Sequence, residues 1–138
     1  MPTRLKKNYR PSDDEPFMNA RQREYFRRKL TAWKADIVKD MRLTVQELQS
    51  ADIRHPDEVD RAAAESDKAL ELRTRDRHRK LIGKIDSALA RLDERTYGYC
   101  EETGEPIGLK RLEARPIATF SLEAQERHEK RERVYRED

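Results

Sequence analysis

Apolar residues recur at Phe26, Leu30, Trp33, Ile37, Met41, Val45 and Leu48, at spacings of 4, 3, 4, 4, 4 and 3. This is the period of one helix face, close to a heptad seam with a stutter in its middle. The opposite face carries Arg, Lys, Asp, Glu and Gln, and Asn19 stands where a helix cap belongs. A helix of ~30 residues is about 45 Å long. It cannot bury such a seam alone, so the pattern demands a partner helix, with Phe26 and Trp33 in the packed face.

The partner follows in the chain. A second helix is expected from near Asp57 to about Asp93. Its seam opens with small residues (Val59, Ala62, Ala63, Ser66, Ala69 and Leu70) and closes with Leu81, Ile85, Ala88 and Leu92, spaced 4, 3 and 4. Ile82 and Leu89 form a second apolar row, as if this half also packs on another element. Between the two halves, Arg73 to Arg79 hold almost nothing apolar, which reads as a solvated or functional gap. Gly83 costs roughly 1 kcal/mol against Ala inside a helix, and is expected to let a neighbour approach closely. Two seams joined by a short turn give an antiparallel helical hairpin.

The turn falls near residues 51–60. Pro56 suits a helix start and not a helix interior. Asp57, Glu58 and Asp60 then occupy the first turn, where carboxylates suit the positive helix end. These three acids can meet a cation, a basic partner or solvent.

On either side of the hairpin the texture changes. Met1 to Phe17, with Pro2, Pro11 and Pro16, has no period and reads as a mobile or loosely docked tail. From Tyr97 to Gly108, a stretch with three of the four glycines, two short strands joined by a turn are expected. Leu109 to Arg115 should be a helical turn ended by Pro116, and Ser121 should cap a last helix from Leu122 to about Tyr135. The expected organisation is a flexible tail over 1–17, a coiled-coil hairpin over 18–95, and a small domain with a C-terminal helix over 96–138. The fold class is mainly α.

Composition narrows the function classes. Charged residues make up 43% of the chain and mean hydropathy is −1.16, so a large globular core is excluded and long helices are favoured. No apolar run approaches the ~20 residues that span a bilayer, and the basic N-terminus lacks the apolar segment of a secretory signal. A soluble, cytoplasmic, monomeric protein is expected. One cysteine gives no intrachain disulfide and, by itself, no cysteine zinc site.

The net charge of +3 hides a segregation. Glu47 to Glu71 hold eight acids and three bases, whereas Arg73 to Lys84 hold six bases and one acid. A metal-dependent enzyme built on Asp57, Glu58 and Asp60 would lack a second carboxylate cluster and a pocket-forming core. The alternative of a basic coiled-coil nucleic-acid-binding module is weakened because no Phe, Tyr or Trp lies between Trp33 and Tyr97.

The runs HPDEVDRAAAESD, ELRTRDRHRKLIGKI and YGYCEETGEPIGLKRLEARPIA, in this order and spacing, resemble the DksA/TraR family of bacterial RNA polymerase-binding factors. The resemblance covers roughly Met18 to Arg127 and suits the longer, DksA-type branch. Family members carry two C-x-x-C pairs on one zinc. Here those positions are Cys100, Thr103, Ser121 and Ala124, so three of the four thiolates are missing. His128 is a stray donor that does not close a site. The resemblance is therefore to the zinc-free branch: a zinc-finger-like domain without zinc or other cofactor, held by Tyr97, Tyr99, Ile107, Leu109, Leu112, Ile117, Phe120 and Leu122. Cys100 reads as a small, partly buried apolar residue.

The resemblance also implies a function. Such factors enter the secondary channel of RNA polymerase with the hairpin as probe, and do not read promoter sequence. They destabilise open complexes, inhibiting rRNA promoters and activating some amino-acid biosynthesis promoters in the stringent response. Guanosine tetraphosphate strengthens both effects. By position, Asp57, Asp60 and Ala62 form the tip that faces the polymerase active site, and Arg77 is a polymerase contact. Leu81, Lys84 and Arg115 meet guanosine tetraphosphate, while a further family lysine is replaced by Gln125.

Overall fold

The computed structural model describes residues 3–51 and 58–137, with side chains described over 3–47 and 61–136. Four helices carry the chain: α1 (Ala20–Ala51), α2 (Glu58–Glu94), α3 (Leu109–Ala114) and α4 (Leu122–Glu137). The chain forms two units, one of Met1–Leu30 with Ser87–Asp138 and one of Thr31–Asp86. The division falls inside both long helices, so each contributes to both units.

In the first unit the start of α1 is written in local chemistry. Gln22 N–H donates to Asn19 Oδ1 at 2.9 Å, the expected cap. Gln22 is fully buried, and a buried amide must spend both its ends. Its Oε1 accepts from Met18 N–H (2.8 Å) and its Nε2 donates to Ser12 O (3.2 Å) and Glu15 Oε2 (3.3 Å). The Tyr9 hydroxyl donates to the same Glu15 carboxylate. Phe17 meets the Tyr99 ring edge-on at 5.5 Å, and Met18 is buried. The aperiodic N-terminal segment is thus docked on the unit by contacts that have no periodic signature.

The core of this unit is Phe26 and Leu30 of α1, Ala88 and Leu92 of α2, then Tyr97, Leu112 and Ala124. The Tyr97 ring packs on Phe26 at 5.6 Å and its hydroxyl donates to Pro116 O at 2.7 Å. α3 ends before Pro116, and Ser121 Oγ accepts from Ala124 N–H at 3.3 Å to cap α4, both as expected. Two expectations are corrected. The two short strands reduce, among the described residues, to one antiparallel bridge between Tyr99 and Pro106. Pro106 has no N–H to extend a ladder, and Gly98 and Gly108 on either side leave the extended region at φ 90° and 102°. Tyr99 and Leu122, expected in the packed set, are 37% and 58% exposed.

In the second unit, α1 and α2 form the antiparallel hairpin, clamped by Lys34 Nζ on Asp86 Oδ1 at 2.7 Å and by buried Ile37 and Ile85. The seam of α2 is not the one its small residues suggest. Ala62, Ala63, Ser66, Ala69 and Leu70 are exposed, and Val59 lies outside the described side chains. The half-buried row is Ala64, Lys68, Glu71, Arg75, His78 and Ile82, leading to buried Ile85 at steps of 4, 3, 4, 3, 4 and 3. Two isoleucines fix the heptad phase, and the rigid 3.5-residue repeat carries it along the helix whatever residues fall on it. The basic gap therefore becomes a polar stretch of seam opposite Met41, Thr44 and Val45, all half-buried. Within it Arg75 Nε is buried without a hydrogen-bond partner among the described residues.

Gly83 is also corrected. A Cβ built there meets no heavy atom within 4 Å, so no neighbour uses the gap. Only the helix penalty remains, and Gly83→Ala is expected to stabilise the chain by about 0.5–1 kcal/mol in urea unfolding. A loss of stability on this substitution would mean that something approaches Gly83 after all.

Candidate functional site

α2 opens at Glu58, which places Asp60 by its backbone in the first turn of the helix. Asp57 lies outside the described residues. Ala62 is exposed in the following turn. The first turn of α2 thus holds the Glu58 and Asp60 positions.

Further along α2, Arg77, Leu81 and Lys84 stand at i, i+4 and i+7, one above another on one face. Arg77 and Lys84 are exposed and Leu81 is half-buried. Arg77 Nη2 donates to Thr74 Oγ1 at 3.4 Å. Lys84 makes no ion pair among the described residues. This face offers two cations around an apolar side chain, a surface suited to an anionic partner. Arg115 belongs to the other unit. It follows α3, its N–H donating to Arg111 O at 2.7 Å, and its side chain is exposed. Gln125 there donates through Nε2 to Glu129 at 3.3 Å.

Three of the four knuckle positions converge inside the first unit. Thr103 and the Ser121 amide both hydrogen-bond to the Cys100 sulfur, and Ala124 lies in the first turn of α4, fully buried. Burial pushes the Cys100 thiol up. Hydrogen bonds from the Thr103 hydroxyl and from the Ser121, Thr103 and Glu102 amides outweigh it, lowering the pKa to about 6. Cys100 is thus buried, as the sequence suggests, but it is a polar anchor at the centre of a ring of donors. The signal that carries this is the Cys-x-x-Thr-Gly turn, closed by Gly104 N–H on Cys100 O at 2.8 Å, which aims backbone amides inward.

One thiol, two hydroxyls and a methyl do not make a zinc site. Among the described residues no group of three or more His, Cys, Asp or Glu side chains is placed to hold a metal. His128 is engaged elsewhere, with Nε2 on Glu102 at 3.0 Å and its ring stacked on Phe120 at 4.6 Å. Purified protein is expected to carry no stoichiometric zinc, and a strong chelator to leave its far-ultraviolet circular dichroism unchanged. One tightly held zinc per chain in elemental analysis would overturn this reading of the donors.

Comparison with known proteins adds an independent line. Residues 22–92 match the family model described as DnaK suppressor protein DksA, N-terminal domain, and residues 95–130 that of the prokaryotic dksA/traR C4-type zinc finger. The RNA polymerase-binding transcription factor DksA of Caulobacter vibrioides is 66% identical over 133 residues, covering 96% of this chain and 94% of that protein. Its Escherichia coli K12 counterpart is 42% identical over 125 residues, covering 91% and 83%. The solved structure of transcription factor DksA2 from Pseudomonas aeruginosa matches with a TM-score of 0.79 at 44% identity, covering 85% of this chain and 90% of that one.

Proposed function

This chain belongs to the DksA family, and from that premise we propose that it regulates transcription by binding RNA polymerase through the secondary channel and destabilising open complexes. The observation that carries the reading is the hairpin whose second helix opens on Glu58 and Asp60, in a chain matched over both family segments. The hairpin is a stiff probe. Its acidic start of α2 reaches the active-site region, where carboxylates act on polymerase elements or on water around the catalytic Mg2+. Arg77 contributes to docking. The factor acts by binding, without covalent catalysis and without reading promoter sequence. It works as a cytoplasmic monomer, and no helix of the described residues is long and apolar enough to cross a membrane.

Guanosine tetraphosphate is the effector. Lys84, beside Leu81 on α2, and Arg115, after α3, are each assigned a part in its binding, as cations suited to phosphates, and polymerase supplies the remaining groups. Gln125 in place of a lysine removes one charge, and the dose-response measures how strong the coupling is without it. The whole reading is tested by transcription in vitro at a stable RNA promoter with purified polymerase. The chain should shorten open-complex lifetime, and more so with guanosine tetraphosphate. Unchanged lifetimes at saturating protein would reject it.

The nucleotide site has its own test. Both cations are exposed, so removing either does not cost folding. A charge-assisted contact is worth roughly 1.5–3 kcal/mol, so Lys84→Ala and Arg115→Ala should each shift the nucleotide dose-response by about tenfold or more, with basal inhibition little changed. Superimposable dose-response curves, with polymerase binding intact, would reject the assignment.

A further inference from the structure

The docked N-terminal segment builds a feature that the transcriptional reading does not use. Tyr9 N–H donates to Lys6 O at 3.0 Å, closing a turn in which Asn8 takes a left-handed φ of 70°. Asn tolerates that region better than most residues. The turn fixes Lys6 and Lys7 and lays the Tyr9 ring edge-on to Tyr25 of α1, with centroids 6.2 Å apart. Between turn and helix lies an open cavity of about 540 Å³, lined by Lys6, Lys7, Tyr9, Tyr25, Arg28 and Lys29 among others and, among the described residues, by no carboxylate.

The lining groups are not equivalent. Lys29 already donates to Glu113 Oε2 at 2.7 Å, and Arg28 to Glu24 at 3.0 Å. Lys6 and Lys7 are exposed and make no ion pair among the described residues. Both phenols are tethered outside the cavity, Tyr9 to Glu15 and Tyr25 to Glu113. Burial and those carboxylates push both phenols up to about 12, so they stay neutral. The cavity therefore offers aromatic walls beside two uncommitted ammonium groups.

We propose that this cavity binds a small organic phosphate carrying an aromatic ring, of the nucleoside diphosphate class, with its phosphates on Lys6 and Lys7 and its ring against Tyr9 and Tyr25. The volume lies within the range of small-ligand sites, roughly 300–1,000 Å³. Ammonium groups suit phosphate oxygens, and tyrosine faces accept a base by stacking without demanding one sequence of donors. The site lies wholly in the first unit and is complete within this chain.

The test uses the full chain alone, so its result does not depend on whether the chain regulates polymerase. ADP, pyrophosphate and adenosine are titrated separately by calorimetry at low salt. ADP should bind with a Kd below about 1 mM and about tenfold or more tighter than either fragment. The double variant Lys6→Ala/Lys7→Ala should weaken ADP by about tenfold or more, the effect of losing charge-assisted contacts. Lys130→Ala, an exposed lysine of α4, should leave it unchanged. The proposal is overturned if ADP gives no binding at several times that concentration, if pyrophosphate binds as tightly as ADP, or if the double variant binds ADP like the parent chain.

Discussion

Asp60→Asn is expected to leave binding to RNA polymerase nearly intact and to abolish the shortening of open-complex lifetime. The substitution keeps size and hydrogen-bonding capacity at the third position of α2, so the helix start survives. The lost interaction between one carboxylate and the helix dipole typically costs about 0.3–1 kcal/mol, too little to unfold the chain. Docking area in this reading lies along the hairpin and the small unit, away from the turn. What disappears in this reading is one negative charge that the start of α2 brings to polymerase, and a charge acts on a partner more strongly the less bulk water separates them. Affinity by competition and lifetime by filter retention or fluorescence separate the two quantities. Full inhibition by Asp60→Asn at equal occupancy would remove the acidic start of α2 from the mechanism. A parallel loss of affinity would place Asp60 in docking.

Gly98→Ala is expected to destabilise the fold by about 2–4 kcal/mol. Gly98 sits at φ 90°, and an added Cβ would lie 3.0 Å from Met18 Cγ and 3.2 Å from both Met18 Sδ and Phe17 Cζ. The strained φ costs about 1 kcal/mol or more for any residue with a side chain, and overpacking adds typically 1–3 kcal/mol. Relief is difficult on both sides. Met18 is 5% exposed, and the Gly98 carbonyl is pinned by Ile107 N–H at 2.7 Å. Urea unfolding of the two glycine variants side by side makes the comparison sharp, since the same methyl group stabilises at Gly83 and destabilises at Gly98. A penalty below about 0.5 kcal/mol at Gly98 would mean that the N-terminal segment yields freely and is no part of the packed unit.

The features legible before folding are those whose physics is local. Asn19 and Ser121 cap helices through atoms three residues away, so the starts of α1 and α4 can be read from the chain. Pro116 ends α3 because the ring constrains its neighbour, wherever the segment lies. The apolar face of α1 is strong enough to set its own phase, with Phe26, Leu30 and Ile37 all buried. The misfit of Cys100, Thr103, Ser121 and Ala124 with zinc is a property of side-chain chemistry and needs no coordinates. Tertiary structure decided the rest. Along α2 the small residues carry too weak a preference to choose a phase, so the helix repeat running from Ile85 and Ile82 put Lys68, Glu71, Arg75 and His78 on the seam and Leu70 in solvent. Docking of the N-terminal segment depends on Gln22 meeting Ser12 and Glu15, and on Phe17 meeting Tyr99. The polarity of Cys100 depends on amides delivered by Ser121, twenty-one residues downstream. Such contacts form only when chain closure brings distant groups together, and no periodicity of either partner records that the closure will happen.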